Sequence, residues 1–252
     1  MTTIVTSYFQ LEKSKKNHET YVTWMQNMLI IQSPMLIFCD KDSVKIIEEI
    51  RKDNSIYPTK IMVIDFTEFY TYKYYHVFQY HYVTKDHEKY HNPYLYLIWN
   101  EKSHFLKRAV EMNPFSTDTF LWVDIGCFRR KNTEFIHWPK PDKIPKDKIL
   151  LLLVNPFPKN VYECNSLEHL PDFQFSNGFI GGTMFGGSSK SILKWHNVFY
   201  QMLEYFITID RFIGKDQNIM NSVAIMHKDV VHLVDPKPDY YDRWFYLHKY
   251  LS

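Results

Sequence analysis

The stretch "NEKSHFLKRAVEMNPFSTDTFLWVDIG", Asn100 to Gly126, decides how the chain is read. Phe105, Ala109 and Met112 recur at helical spacing, so Asn100 to Asn113 predicts a helix with those residues inward. Pro114 stops it, because proline lacks an amide hydrogen and disfavours helix at the residue before it. Thr119 to Val123 is then an unbroken apolar run of strand length, and it ends on one carboxylate, Asp124, with Gly126 just beyond.

Outward from that unit the same alternation recurs. "TIVTSYF" (Thr3 to Phe9), "MLIFC" (Met35 to Cys39), "KIMVIDF" (Lys60 to Phe66), "KILLLLV" (Lys148 to Val154) and "DVVHLV" (Asp229 to Val234) read as strands. Tyr21, Trp24, Met25, Met28 and Leu29 form the core stripe of a helix after the first strand. Asp42 is read as the cap of the next helix, which turns Val44, Ile47 and Ile50 inward. Phe69 to Tyr96 is too irregular to assign beyond partly helical. Pro139 to Pro145 is a proline-rich connection, and helices follow over Ser189 to Phe206 and from Asp216 onward. The class predicted is α/β, a mostly parallel central sheet flanked by helices, in one domain over residues 1–252. Ligands of such sheets collect at the carboxyl ends of the strands where strand order reverses, and Asp124 falls at such an end.

Composition narrows the function. Of 252 residues 45% are hydrophobic, 23% are charged and the net charge is +2, with no long block of one sign, which argues against a nucleic-acid footprint. The longest cluster, Lys13, Lys15 and Lys16, reads as a solvated loop. Cys39, Cys127 and Cys164 have neither CxxC nor zinc-ligand spacing, so a reducing compartment is expected. The first residues lack the pattern of a signal peptide, and "ILLLLV" (Ile149 to Val154) is too short to span a bilayer. A soluble, cytoplasmic protein is expected, in the host cytoplasm if the source is viral.

Asp124 reads two ways: a capping aspartate at a strand end, or a ligand for Mg²⁺ or Mn²⁺ bridging phosphates, with Gly126 leaving room beside the backbone. Five of the seven glycines, Gly178, Gly181, Gly182, Gly186 and Gly187, gather within ten positions, where backbone must approach something closely or turn tightly.

These residues resemble a known family. The chain is similar to glycosyltransferases of the GT-A (Rossmann-like) fold, most closely to the bacterial HtrL/YibB and WlaTC-like group. The likeness lies in "IVTSYF", the tryptophan-bearing first helix, "IWNEKSHFLKRAVEMNPFSTDTFLWVDIG", "FSNGFIGGTMFGG" and "GKDQNIMN". It implies a nucleotide-sugar-dependent glycosyltransferase, a hexosyltransferase moving sugar from a UDP-sugar to a hydroxyl of a glycan or protein. Asp124 matches the first acid of the fold's metal-binding DxD motif. Gly126 stands where the second acid belongs, so a late ligand would have to complete an Mn²⁺ or Mg²⁺ site. His232 and His248 are the candidates taken, with Asp235 beside them; the bland reading of each is a satisfied polar residue.

By the same resemblance Asn177, Gly178, Gly181 and Gly182 lie beside the donor sugar, the alternative being tight turns at a sheet edge. Asp216 contacts the sugar or serves as general base and Gln217 sits near the anomeric carbon; otherwise Asp216 is a helix N-terminal acid. Thr6 and Tyr8 meet the base or ribose. Lys102 is chosen over Lys107 and Arg108 to neutralise the diphosphate, with Arg129 and Arg130 as alternatives and a solvated lysine as the plain reading. A homodimer is left open. The rival on the same fold is a nucleotide or sugar binder without catalysis. The other rival is a different α/β enzyme, such as a nucleotidyltransferase or dehydrogenase; a dehydrogenase is disfavoured because no glycine follows the first strand through Thr20, and neither a P-loop nor a GxSxG elbow is present.

Overall fold

The computed structural model describes residues 1–54, 56–131, 135–174, 178–236, 240 and 242–252. Strands β1 (Thr2–Tyr8), β2 (Met35–Cys39), β3 (Thr59–Val63), β4 (Thr119–Val123), β5 (Ile149–Leu153), β6 (Ile180–Ser188) and β7 (Val231–Val234) make one seven-stranded sheet in the order β3-β2-β1-β4-β6-β5-β7. All run one way except β6, which is antiparallel to both β4 and β5. Helices α1 (His18–Leu29), α2 (Val44–Asn54), α3 (Tyr75–Thr84), α4 (Pro93–Met112), α5 (Lys159–Tyr162), α6 (Ser189–Thr208), α7 (Asp216–Met226) and α8 (Tyr246–Tyr250) connect and cover the strands. The result is a mixed, mostly parallel α/β sheet flanked by helices.

Alternate strand residues feed two cores. Val5, Phe38, Phe120, Trp122 and Leu151 pack with α3, α4, α6 and α7. Ile4, Ile37, Leu121, Val123 and Leu150 pack with α1, α2 and α8. Covering both faces explains why the central strands read as continuous apolar runs. Among the described residues no helix is long and apolar enough to cross a membrane.

Several boundaries differ from expectation for local reasons. Asp40, not Asp42, accepts the Ser43 amide at 2.8 Å and starts the turn into α2. Strand β3 stops at Val63, because Asp65 caps a short 3₁₀ turn with Glu68 reaching back to its amide. Helix α4 begins at Pro93, capped by Asn92, and ends in a left-handed Asn113 at φ 32°. Buried Arg51 gives its guanidinium to the carbonyls of Leu29, Ile31 and Ser33, closing the last turn of α1 that would otherwise end unsatisfied.

The glycine-rich segment is largely strand, not paired turns. A Cβ at Gly186 would lie 2.2 Å from the Phe120 carbonyl oxygen, so β4 and β6 approach too closely for any side chain there. In the order β3-β2-β1-β4 the strand order reverses between the parallel neighbours β1 and β4, and the carboxyl ends of those two strands open into a cleft.

Candidate functional site

The cleft has a volume of about 230 Å³ and takes Ser7, Tyr8 and Phe9 from the end of β1, and Trp122, Asp124 and Gly126 from β4 and its turn. Leu95, Ile98, Trp99 and Lys102 enter from α4 at the i, i+3, i+4, i+7 spacing of one helix face. Tyr21 and Trp24 of α1, Lys16, His18, Arg129, Thr183 and Phe245 complete most of the wall. The Tyr8 hydroxyl lies 2.6 Å from His18 Nδ1, and burial, then Asp40, pushes its pKa up to about 12.

Asp124 is held from every side but one. Its amide donates to the Thr183 carbonyl at 2.8 Å, and its own carbonyl accepts the Cys127 amide at 2.9 Å. Trp122 Nε1 donates to Oδ1 at 2.7 Å. The side chain keeps 32% exposure, toward the cleft, and among the described lining residues it is the only carboxylate. The Thr183 hydroxyl beside it is buried and has no hydrogen-bond partner among the described residues.

Behind Asp124 lies a buried charge group. Lys102 Nζ stands 3.1 Å from Asp124 Oδ1, 3.0 Å from Asp216 Oδ2 and 3.0 Å from the Gly182 carbonyl. Burial alone would depress the ammonium, but the two carboxylates outweigh it and raise the Lys102 pKa. Asp216 is 6% exposed, and burial raises its pKa against the pull of Lys102. A Cβ at Gly182 would fall 3.0 Å from Asp216 Oδ2, so this glycine admits the carboxylate beneath β6. Asp216 does not line the cleft.

The neighbours of Lys102 in sequence are spent on structure. Asn100 donates to the Ile213 carbonyl at 3.0 Å, Glu101 accepts the amides of Tyr70 and Thr71 at 2.9 Å, and Ser103 accepts from Trp195 Nε1 at 2.9 Å. Four consecutive polar residues, Asn100 to Ser103, are thus all buried, each tied to a different element. Burial is also the main reason the Glu101 carboxyl rises to about 7.

Residues 1–249 match a family described as "Bacterial protein of unknown function (HtrL_YibB)". The chain belongs to the HtrL/YibB family. "Protein HtrL" of Escherichia coli (strain K12) is 24% identical over 263 residues, covering 92% of this chain and 87% of that protein.

In this HtrL/YibB member the remaining expected site residues scatter. Thr6 is fully buried and does not line the cleft; Ser7, of opposite strand parity, does. Gln217 donates to the Ile180 carbonyl at 2.7 Å and holds the start of β6, away from the cleft lining. Gly178 is bonded through its carbonyl to Asn155, while a Cβ at Gly181 would press on Val154 and Leu152 at 3.2 and 3.3 Å; neither reaches the cleft. Asn177 lies outside the described residues. Gly126 gives room to protein rather than ligand: a Cβ there would sit 2.9 Å from Trp24 Cε3. Tyr21 and Trp24 correspondingly line the cleft; Tyr21 also packs against the core as expected, whereas Trp24 does not join it.

The expected metal set does not assemble. His232 is exposed on edge strand β7, and His248 is enclosed by Phe128, Phe135 and Phe245, where burial lowers its pKa to about 4. Among the described residues the group that could hold a divalent ion is Asp86, Glu88 and His91, whose ligand atoms lie within 4.8 Å of one another. They already bond to each other, to Tyr96 and to Lys215. Lys107 pairs with Glu111, and Arg108 lies over Phe38, so neither competes with Lys102 for Asp124. Two cleft residues, Trp99 and Thr183, lie inside the family-like motifs without standing out from them: Trp99 shares helical phase with Lys102, whereas Thr183 carries no local mark beyond its neighbouring glycines.

Proposed function

We propose that this protein is a glycosyltransferase of the GT-A kind, moving a hexose from a nucleotide sugar, a UDP-sugar by preference, to a hydroxyl of a glycan or protein. The observation that carries this is the placement of Asp124, a fixed and partly open carboxylate at the strand-order reversal, in a cleft with aromatic walls and cations at its rim. Aromatic rings suit the flat base and the apolar faces of a sugar. A carboxylate with one side open suits the hydroxyls of a ribose or hexose, which donate to it.

The reaction breaks the bond from the anomeric carbon to phosphate oxygen and forms one to the acceptor oxygen. The acceptor hydroxyl loses its proton, and the nucleoside diphosphate leaves with added negative charge. Orienting donor and acceptor together lowers the barrier by up to about 7–11 kcal/mol in well-aligned cases, and fixed positive charge near the leaving group stabilises the transition state. Asp124 would orient the donor through its hydroxyls; Trp122 and Lys102 would keep its carboxylate in one rotamer.

The test is release of nucleoside diphosphate from UDP-sugars, with GDP-sugars and release of nucleoside monophosphate from CMP-sugars as controls. Asp124→Asn should abolish turnover while the protein still folds cooperatively, with some loss of stability because Lys102 loses one of its two carboxylates. Unaltered turnover in that variant would refute the assignment. A specific observation favours a second reading, a nucleotide-sugar binder without catalysis: Asp216, the second acid of the buried group, does not reach the cleft. Saturable binding of UDP-sugar with no turnover, across acceptors, would decide for the binder.

A further inference from the structure

We infer that the ligand's phosphate is bound without a divalent cation, by Arg129 clamped between Trp24 and Phe245, while Lys102 serves as an internal counterion. This rests on the nucleotide-sugar reading and extends it to the residues that carry the charge.

The donor set of the cleft does not fit Mg²⁺ or Mn²⁺. Such cations take several oxygen ligands, at roughly 2.0–2.1 Å for Mg²⁺, and commonly rely on one or two carboxylates besides phosphate. Here one described carboxylate lines the cleft, and its Oδ1 already receives Trp122 Nε1 at 2.7 Å. The position between Asp124 and Asp216, where a cation would bridge them, is filled by the Lys102 ammonium at 3.1 and 3.0 Å. The place of a second acid in the turn is closed as well. Trp24 would be 2.9 Å from any Cβ at residue 126, so a side chain there would have to displace an indole ring.

Lys102 cannot take over the role of binding phosphate. It is 4% exposed and already faces two carboxylates and a carbonyl. Arg129 meets the requirement. It is exposed, it lines the same cleft, and its guanidinium carbon lies 4.9 Å from the Trp24 ring centre and 4.8 Å from that of Phe245. Among the described residues no carboxylate forms an ion pair with it. Two aromatic faces hold the guanidinium, which suits it to present N–H groups as a preset fork to phosphate oxygens. Lys16, also exposed and without an ion-pair partner among the described residues, adds positive charge on the cleft wall. The cleft is therefore polarised, with a hydroxyl-accepting carboxylate backed by buried charge and an anion-binding fork at its exposed rim.

The experiment is calorimetric titration of uridine diphosphate, and separately inorganic pyrophosphate, into the full chain in EDTA and again with Mn²⁺. Wild type, Arg129→Gln and Arg129→Lys are compared, with melting curves to show that this exposed position leaves folding intact. Uridine diphosphate should bind in EDTA and not tighten with Mn²⁺. Arg129→Gln should weaken it at least about tenfold, with Arg129→Lys intermediate. Binding that appears only with Mn²⁺ overturns the metal-free assignment and leaves the transferase reading standing. Metal-independent binding unchanged in Arg129→Gln overturns the role of Arg129 alone. Pyrophosphate binding without nucleotide binding supports the anion subsite and sinks the nucleotide-sugar reading. No binding of either anion, in either medium, sinks both.

Discussion

Replacing Lys102 with methionine tests the buried charge group most directly. The ammonium contacts Asp124 Oδ1 at 3.1 Å, Asp216 Oδ2 at 3.0 Å and the Gly182 carbonyl at 3.0 Å, inside a site where Lys102 and Asp216 side chains are 5% and 8% exposed. Methionine fills similar volume but leaves the Asp216 carboxylate buried with the Gln217 amide and with Asp124, a like charge, and without its cation. Breaking a buried pair from one side costs about 3–5 kcal/mol, which for a chain of this size lowers the melting temperature by about 10 °C. The deficit should depend on pH with a definite sign. Burial already raises the Asp216 pKa and Lys102 restrains it; without the lysine the folded pKa rises further above its unfolded value. A raised acid stabilises fully below its unfolded pKa and loses that contribution as pH climbs through the folded one. The variant should therefore lose most against wild type at alkaline pH and recover as pH falls through the raised Asp216 pKa. Adding Asp216→Asn to Lys102→Met should restore at least half of the loss and flatten the pH dependence. Urea unfolding followed by circular dichroism reads all three proteins. A Lys102→Met loss below about 1 kcal/mol at alkaline pH, or no recovery in the double variant, would show that these charges are not coupled as described.

Gly182→Ala should destabilise by about 1–3 kcal/mol, because its methyl would lie 3.0 Å from Asp216 Oδ2; chemical denaturation that finds no loss would mean the carboxylate moves aside freely. His248→Phe should remove an acid-sensitive element. Its folded pKa of about 4 lies below the unfolded value, so stability is complete above about pH 6.5 and drains away as pH falls toward 4, by up to ~3 kcal/mol. A wild-type and variant difference that stays constant across that window would refute this. Trp24→Ala should cost less than the ~3–5 kcal/mol of a fully buried aromatic, since Trp24 faces the cleft, yet it should weaken uridine diphosphate binding by freeing Arg129. Equal binding with a large stability loss would return Trp24 to the core.

How much of this was legible in sequence depended on whether the cause was local. Strands β2 and β4 match their apolar runs residue for residue, since burial on both faces writes itself into consecutive side chains. Asp124 at the end of β4 followed from the same pattern. Strand β6 was obscured because its glycines answer to β4 across the sheet, a constraint that no neighbour in sequence reveals. The first turns of α4 carried a readable Asn92-Pro93 start, but its aromatics pack on several sides and blur the helical period. Asn100 to Ser103 look like a solvated helix face, and only partners far along the chain, from Tyr70 to Gly214, make them interior. For the same reason Lys102 could be picked out as a charge near Asp124, while its bond to Asp216 depended on how α7 docks under β6. Thr6 lies one residue short of the strand end, where Ser7, Tyr8 and Phe9 all reach the cleft, and that one step along β1 decides what a ligand can touch.

Three of the chain's six tryptophans, Trp24, Trp99 and Trp122, surround one cleft. The protein therefore carries its own optical reporter. A ligand that enters the cleft beside Trp24 and Trp99 should quench intrinsic emission and shift its maximum, while a small oxyanion meeting only Arg129 should perturb chiefly the Trp24 signal. Entry of a ligand into the cleft should thus be readable in unlabelled protein, by light alone.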